Sequence, residues 1–276
     1  MHDHPAPAHG GSWGALLPAA GVLLLAAAYL TLTHQAAHAG RRRWPRRRTA
    51  SFLTGCALLG AALLPPIAPS AHGDFRGHML QHLLIGMYAP LALVLGAPVT
   101  VLLRALPARD ARTLTALLRS RPVGLLAHPL TALTLSTGGL AALYFTPLYD
   151  TATAHPAGHW LLHAHFLASG CLFAWAIAGP DPAPARPSVP ARLAVLGAAI
   201  AAHAAISQLM YGGFLIGVHA PIAQIRGGAE LMYYGGDIAE LLLAAALVTT
   251  WRPRPHRAIA DRGRYRDGTR QAGAFR

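Results

Sequence analysis

A chain of 276 residues that is 54% hydrophobic and only 12% charged lacks the polar surface of a soluble protein of its size, and reads as an integral membrane protein. Its balance is basic, with 23 Arg and no Lys against 10 acidic residues, but apolar stretches separate the Arg clusters, so membrane topology explains them better than nucleic-acid binding. Two cysteines, Cys56 and Cys171, both inside apolar runs, leave no disulfide framework and no CxxC metal site, and read as small buried apolar residues.

Crossing a hydrocarbon core of roughly 30 Å takes about 20 apolar residues. Stretches of that kind occur near 13–33, 50–68, 78–103, 123–146, 157–179, 190–212 and 231–251, which predicts an all-α bundle of seven transmembrane helices. Pro65, Pro66 and Pro69 crowd the end of the second, and the third carries Pro90 and Pro98; packed membrane helices tolerate such kinks. "RALPARDARTLTALLRSRP" (104–122) sets Leu114, Leu117 and Leu118 at helical spacing among arginines, as a short helix on the inner leaflet would, and a solvated loop is the alternative. "GPDPAPARPSVPAR" (179–192) reads as a Pro-rich connector. The expected layout is therefore a His-containing tail over 1–12, a membrane domain over 13–251 and a disordered basic tail over 252–276.

Loop charge sets the orientation. "RRRWPRRR" (41–48), five Arg between 104 and 121, Arg186 and Arg192, and eight Arg from Arg252 onward place 21 of the 23 on one side. Only Arg76 and Arg226 fall in the opposite loops. The positive-inside rule makes the Arg-rich side cytoplasmic, with the N-terminus outside and the C-terminus inside. The first span has no basic n-region and no convincing cleavage site, and is expected to be a retained helix.

Of the 16 histidines, His34, His38, His128 and His256 lie on the Arg-rich side, and the other twelve fall outside or in the outer half. At about 100° per residue, positions i and i+4 share a helix face. His78 and His82 pair in this way on the third span, and His159 and His163 on the fifth, while His165 points away. His203, Ser207 and Met210 form a stripe on the sixth span; Glu230, Tyr233, Tyr234, Asp237 and Glu240 form another on the seventh. A single intramembrane His is commonly a hydrogen-bonding strut between helices. Ionisable groups in lipid are costly and face a partner or a cavity, so four polar stripes at matching depth predict one shared site for a metal or haem. Imidazole suits copper, zinc and iron, and a Met sulfur favours Cu(I). The tail histidines His2, His4 and His9 suit loose metal capture or plain solvation.

"HMLQHLLIGMYAPLALVLGAPVTVLLRALP" (78–107), "HWLLHAHFLASGCLFAWAIAGPDP" (159–182) and "GGAELMYYGGDIAELLLA" (227–244) resemble the CtaG family of membrane assembly factors for cytochrome c oxidase. The resemblance covers most of 50–250. It implies a non-enzymatic multi-pass protein of the bacterial cell membrane, acting where copper is delivered to or inserted into the oxidase. The partners it implies are oxidase subunits, an extracytoplasmic copper chaperone and lipid, with a homo-oligomer open. Carried over by position, it picks out His78, His82, His159, His163 and Asp237. The loop "APIAQIRGG" (220–228) lacks the acidic residue often found there in the family, so no loop ligand is expected.

The expected metal set is thus His78, His82, His159, His163, His203, Met210 and Asp237, binding copper as Cu(I), with Asp237 orienting an imidazole, balancing charge or bridging helices. Two other classes stay open. A bis-His haem protein would need facing histidines on neighbouring helices, although i and i+4 histidines sit too close to serve two haems. An intramembrane zinc hydrolase would need an open ligand position and a carboxylate base. A retinal protein is excluded, because its Schiff base requires a Lys.

Overall fold

The computed structural model describes residues 13–38, 43–184 and 186–249, apart from the side chains of residues 13, 14 and 72. The two tails expected from the sequence, with His2, His4, His9 and His256, lie outside the described residues. Every regular element described is helical: α1 (Trp13–His38), α2 (Arg46–Leu63), α3 (Ile67–Gly73), α4 (Phe75–Leu95), α5 (Pro98–Ala105), α6 (Ala108–Leu118), α7 (Arg121–Leu126), α8 (Pro129–Phe145), α9 (Leu148–Thr153), α10 (Pro156–Ala178), α11 (Val189–Gly212) and α12 (Ile222–Thr249).

Proline and its neighbours set many of these boundaries. Pro98, Pro129 and Pro156 open α5, α8 and α10, where a missing N–H costs nothing and the fixed φ suits a helix. Pro65 and Pro66 follow the end of α2. Asp74 caps α4 by accepting from the Arg76 backbone N–H at 2.9 Å, and the Arg76 guanidinium beside it holds the Asp74 carboxyl below the usual carboxylate range. Between α4 and α5 the chain turns at buried Ala97, which takes the left-handed conformation at φ 55°.

Five helices are long and apolar enough to cross a membrane: α1, α4, α10, α11 and α12. Seven such spans were expected. Of the remaining two, α8 is apolar but covers only the 129–145 stretch, and α2 opens on Arg46, Arg47 and Arg48, which keep its first turn polar. Both still pack within the bundle: α2 against α1 and α4, α8 against α10 and α11. The helix at the centre is α4. Buried residues make up 67% of its span against 11% for α1, and it packs on α2, α3, α10 and α12. Leu17, Leu23 and Leu24 on α1 are about 70% exposed, an apolar face suited to lipid.

A polar clamp closes the Arg-rich end. Buried Asp181, from the connector after α10, accepts from the backbone N–H groups of Val99 and Thr100 at 3.0 and 2.7 Å and from the Thr100 hydroxyl at 2.5 Å. It thereby caps α5 across the chain. Arg186 Nη2 donates to the Asp181 carbonyl at 2.9 Å, and Arg192 Nη1 to the Ile177 carbonyl at 2.6 Å, so a cation meets the carbonyl end of α10. Burial lowers the affinity of the Arg186 side chain for its proton, with neighbouring Arg192 adding to the effect. Nearby, Trp44 Nε1 donates to the Tyr29 hydroxyl, which donates to the Gly96 carbonyl, while the Arg48 and Arg104 guanidiniums lie 5.1 and 5.2 Å from the Trp44 ring centre. The fold therefore brings Arg from three separate segments to one end.

Candidate functional site

The site begins with a proline. Pro90 has no N–H to donate, and its ring crowds the carbonyl four residues earlier, that of Gly86. The helix answers by widening into a π-turn at Leu84–Tyr88. Gly170 of α10 sits against that Gly86 carbonyl so closely that a side chain at 170 would overlap it. This close approach of two glycines brings α10 onto α4. Gly86 also leaves space for the His82 ring, whose Cε1 lies 3.3 Å from where a β-carbon would stand.

Around this crossing the histidines separate into layers. Toward the outer end, His78 Nε2 and the Tyr144 hydroxyl are 3.2 Å apart, the Tyr144 hydroxyl lies 3.9 Å from Met79 Sδ, and the His78 ring lies edge-on to Tyr149 with centres 4.8 Å apart. Burial, and then the Asp150 carboxylate, push the Tyr149 hydroxyl up to about 12, so it stays protonated beside His78. Met210, expected as a ligand, is fully buried in this apolar cluster together with Met79 and Met232. About 60° around α4 from His78, Gln81 links three helices. Its amide donates to the Ala62 carbonyl at 2.9 Å, and its oxygen accepts from His163 Nε2 at 3.0 Å. His159 stacks edge-on against His163, 4.4 Å between centres.

Deeper lies a cavity of about 50 Å³ that His82, His203 and Glu240 line together, with Met87 and Ser169. The four helices expected to converge, α4, α10, α11 and α12, all reach it. A fifth, α8, contributes Ser136 and Thr137 from its own π-turn at Thr134–Gly138. His203 Nδ1 and Glu240 Oε1 stand 3.7 Å apart, too far for a hydrogen bond. His82 Nδ1, both ring nitrogens of His203 and Glu240 Oε2 are buried without a hydrogen-bond partner. Four orphaned polar atoms around one small cavity are costly unless something occupies it. Gly236 makes the arrangement possible, since a side chain there would collide with the His203 ring.

Several sequence expectations are redistributed. The histidine pairs do not all meet at one point: His82 and His203 share the cavity, whereas His78 is held by Tyr144 and His163 by Gln81. On α12 it is Glu240 that lines the cavity, and Asp237 is half-buried one turn away. His165, expected to point away from the His159–His163 face, lies against Gly139 of α8, which is consistent with that expectation. Among the described residues, no three His, Cys, Asp or Glu side chains stand close enough to form a metal-ligand group. The cavity suits an ion or a few waters. Gln81 and Tyr144 had not been singled out as site residues, and Glu240 was named in the polar stripe of the seventh span but not in the expected metal set. Gln81 and Tyr144 are uncharged polar groups in apolar runs, and only their burial marks them.

A family model described as cytochrome c oxidase caa3 assembly factor matches residues 27–254. The chain belongs to that family. Uncharacterized proteins of Mycobacterium bovis and Mycobacterium tuberculosis are each 34% identical over 275 residues, covering 91% of this chain and 41% of their own length. A Mycobacterium leprae protein is 31% identical over 245 residues, 82% of this chain and 37% of its own. The chain thus spans about two-fifths of these relatives. No solved structure matches it. The CtaG resemblance is met by the family match, and the five long apolar helices fit a membrane protein.

Proposed function

We propose that this member of the caa3 oxidase assembly family carries copper, as Cu(I), in the His82–His203–Glu240 cavity and passes it to an oxidase subunit. The observation that carries the reading is the set of orphaned polar atoms around that cavity. Two imidazoles, with Met87 also among the lining residues, offer nitrogen and sulfur donors of the kind soft Cu(I) accepts at low coordination number. Three His or acidic ligands are not needed for such an ion. Glu240 balances the positive charge in a low-dielectric interior.

In this reading α2 and α8 also cross the bilayer, giving seven spans, and the Arg-rich end faces the cytoplasm by the positive-inside rule. The His78–Tyr144–Tyr149 layer and the His159–His163 pair then lie between the cavity and the extracytoplasmic side. They offer imidazoles along the route by which a chaperone would load the ion and a subunit would remove it. Each imidazole binds the ion in its neutral form. The protein's own part is to hold and release an ion, with no bond made or broken in a substrate.

The test is complementation. In a host lacking its own copy of the gene, wild type restores copper in the mature oxidase, whereas His203→Ala and Glu240→Gln leave oxidase subunits present but short of copper. Full copper loading with both variants rejects the cavity as the carrier site.

A further inference from the structure

At the Arg-rich end, on the side of the bundle away from the cavity, α1 and α2 diverge to form an open groove of about 520 Å³. Arg43, Arg46 and His34 line it together with the apolar side chains of Leu30 and Leu53, Leu30 being 43% exposed. Trp44 forms one wall, fixed by its bond to Tyr29 and by the two guanidiniums over its ring. No acidic residue occurs between Asp3 and Asp74, so the segment that builds the groove carries its Arg charge without a carboxylate. Among the described residues Arg76 is the Arg that forms a salt bridge, and it sits at the opposite end. Among the described residues the groove therefore sets cations that form no salt bridge beside Leu30 and Leu53, next to an α1 face of exposed leucines suited to lipid.

We propose that this groove binds one anionic phospholipid, its phosphate between Arg43 and Arg46 and an acyl chain along Leu30 and Leu53. A guanidinium pair meets phosphate oxygens through paired N–H groups. Basic pockets between helices at the cytoplasmic leaflet have this composition. A free phosphate would use the arginines but would leave Leu30 and Leu53 to water, and that favours lipid over a soluble anion.

Native mass spectrometry of the detergent-purified full chain, titrated with phosphatidylglycerol, tests the assignment. The wild type should retain one phosphatidylglycerol, and Arg43→Gln/Arg46→Gln should bind it roughly thirtyfold more weakly, from about one Arg's worth of surface attraction at each position. Ala50→Phe keeps both charges but fills the groove that Ala50 lines, and should lose the lipid as well. Arg109→Gln/Arg112→Gln removes equal charge from α6 and should leave the lipid in place. Equal weakening by the α6 variant, retention by Ala50→Phe, equal binding of phosphatidylcholine, or displacement by inorganic phosphate would each overturn it.

Discussion

Asp181 shows how much one carboxylate organises: it satisfies two backbone donors and a hydroxyl that α5 would otherwise bury unpaired. Replacing it with Ala should cost about 2–4 kcal/mol, the range for losing a helix cap and leaving buried donors unsatisfied. The check is a drop in melting temperature in detergent, with Asp181→Asn falling between. Leu215 gives the opposite sign. It holds φ 59° while 75% exposed, so Leu215→Gly relieves the left-handed strain and surrenders little buried area. A gain of about 1 kcal/mol should appear as a raised melting temperature. Gln81→Leu should cost about 1–3 kcal/mol, because the Ala62 carbonyl and His163 both lose a partner. The sequence pointed to the histidines because ionisable groups stand out in an apolar run. Gln81 and Asp181 were harder to read, since each acts through a backbone group far away in the chain and periodicity carries no record of such a partner.

Among the elements, the α4–α10 crossing decides whether the cavity exists. Pro90, the π-turn and the Gly86–Gly170 approach form one causal sequence, and each step needs the one before it. Gly170→Ala should push α10 outward, destabilise the fold by about 1–3 kcal/mol and reduce copper retention together with stability. Equal copper retention and an unchanged melting temperature would show that the crossing tolerates a methyl group. Helix existence was legible nearly throughout, because runs of apolar residues and the prolines that punctuate them are local signals. The break of the long third span was not. Pro98 marked the place, but the departure of α5 as a separate helix depends on Ala97 turning left-handed and on Asp181 waiting to cap it. The part played by α8 was hidden for a similar reason: Ser136 and Thr137 read as ordinary small residues until a π-turn aims them at the cavity.

On the scale of the whole molecule, two polar systems stand on opposite sides of an apolar bundle. The Arg-rich end is clamped by Asp181, Arg186 and Arg192, while the histidines and tyrosines lie along α4, α8, α10 and α11 from the other end inward. The segregation of Arg from His in the sequence anticipated this division. The depth at which the four helices meet was not foreseen, because i, i+4 spacing fixes a helix face but not which neighbour that face meets. The proposed copper site is the His82–His203–Glu240 cavity. Copper stoichiometry on anaerobically loaded, detergent-purified protein, with X-ray absorption at the copper edge, tests it most directly. About one Cu(I) per chain with nitrogen and sulfur neighbours should be found, lost in His82→Ala/His203→Ala and kept in His159→Ala. Copper retained by the double variant, or bound to neither protein under copper-replete loading, would contradict it.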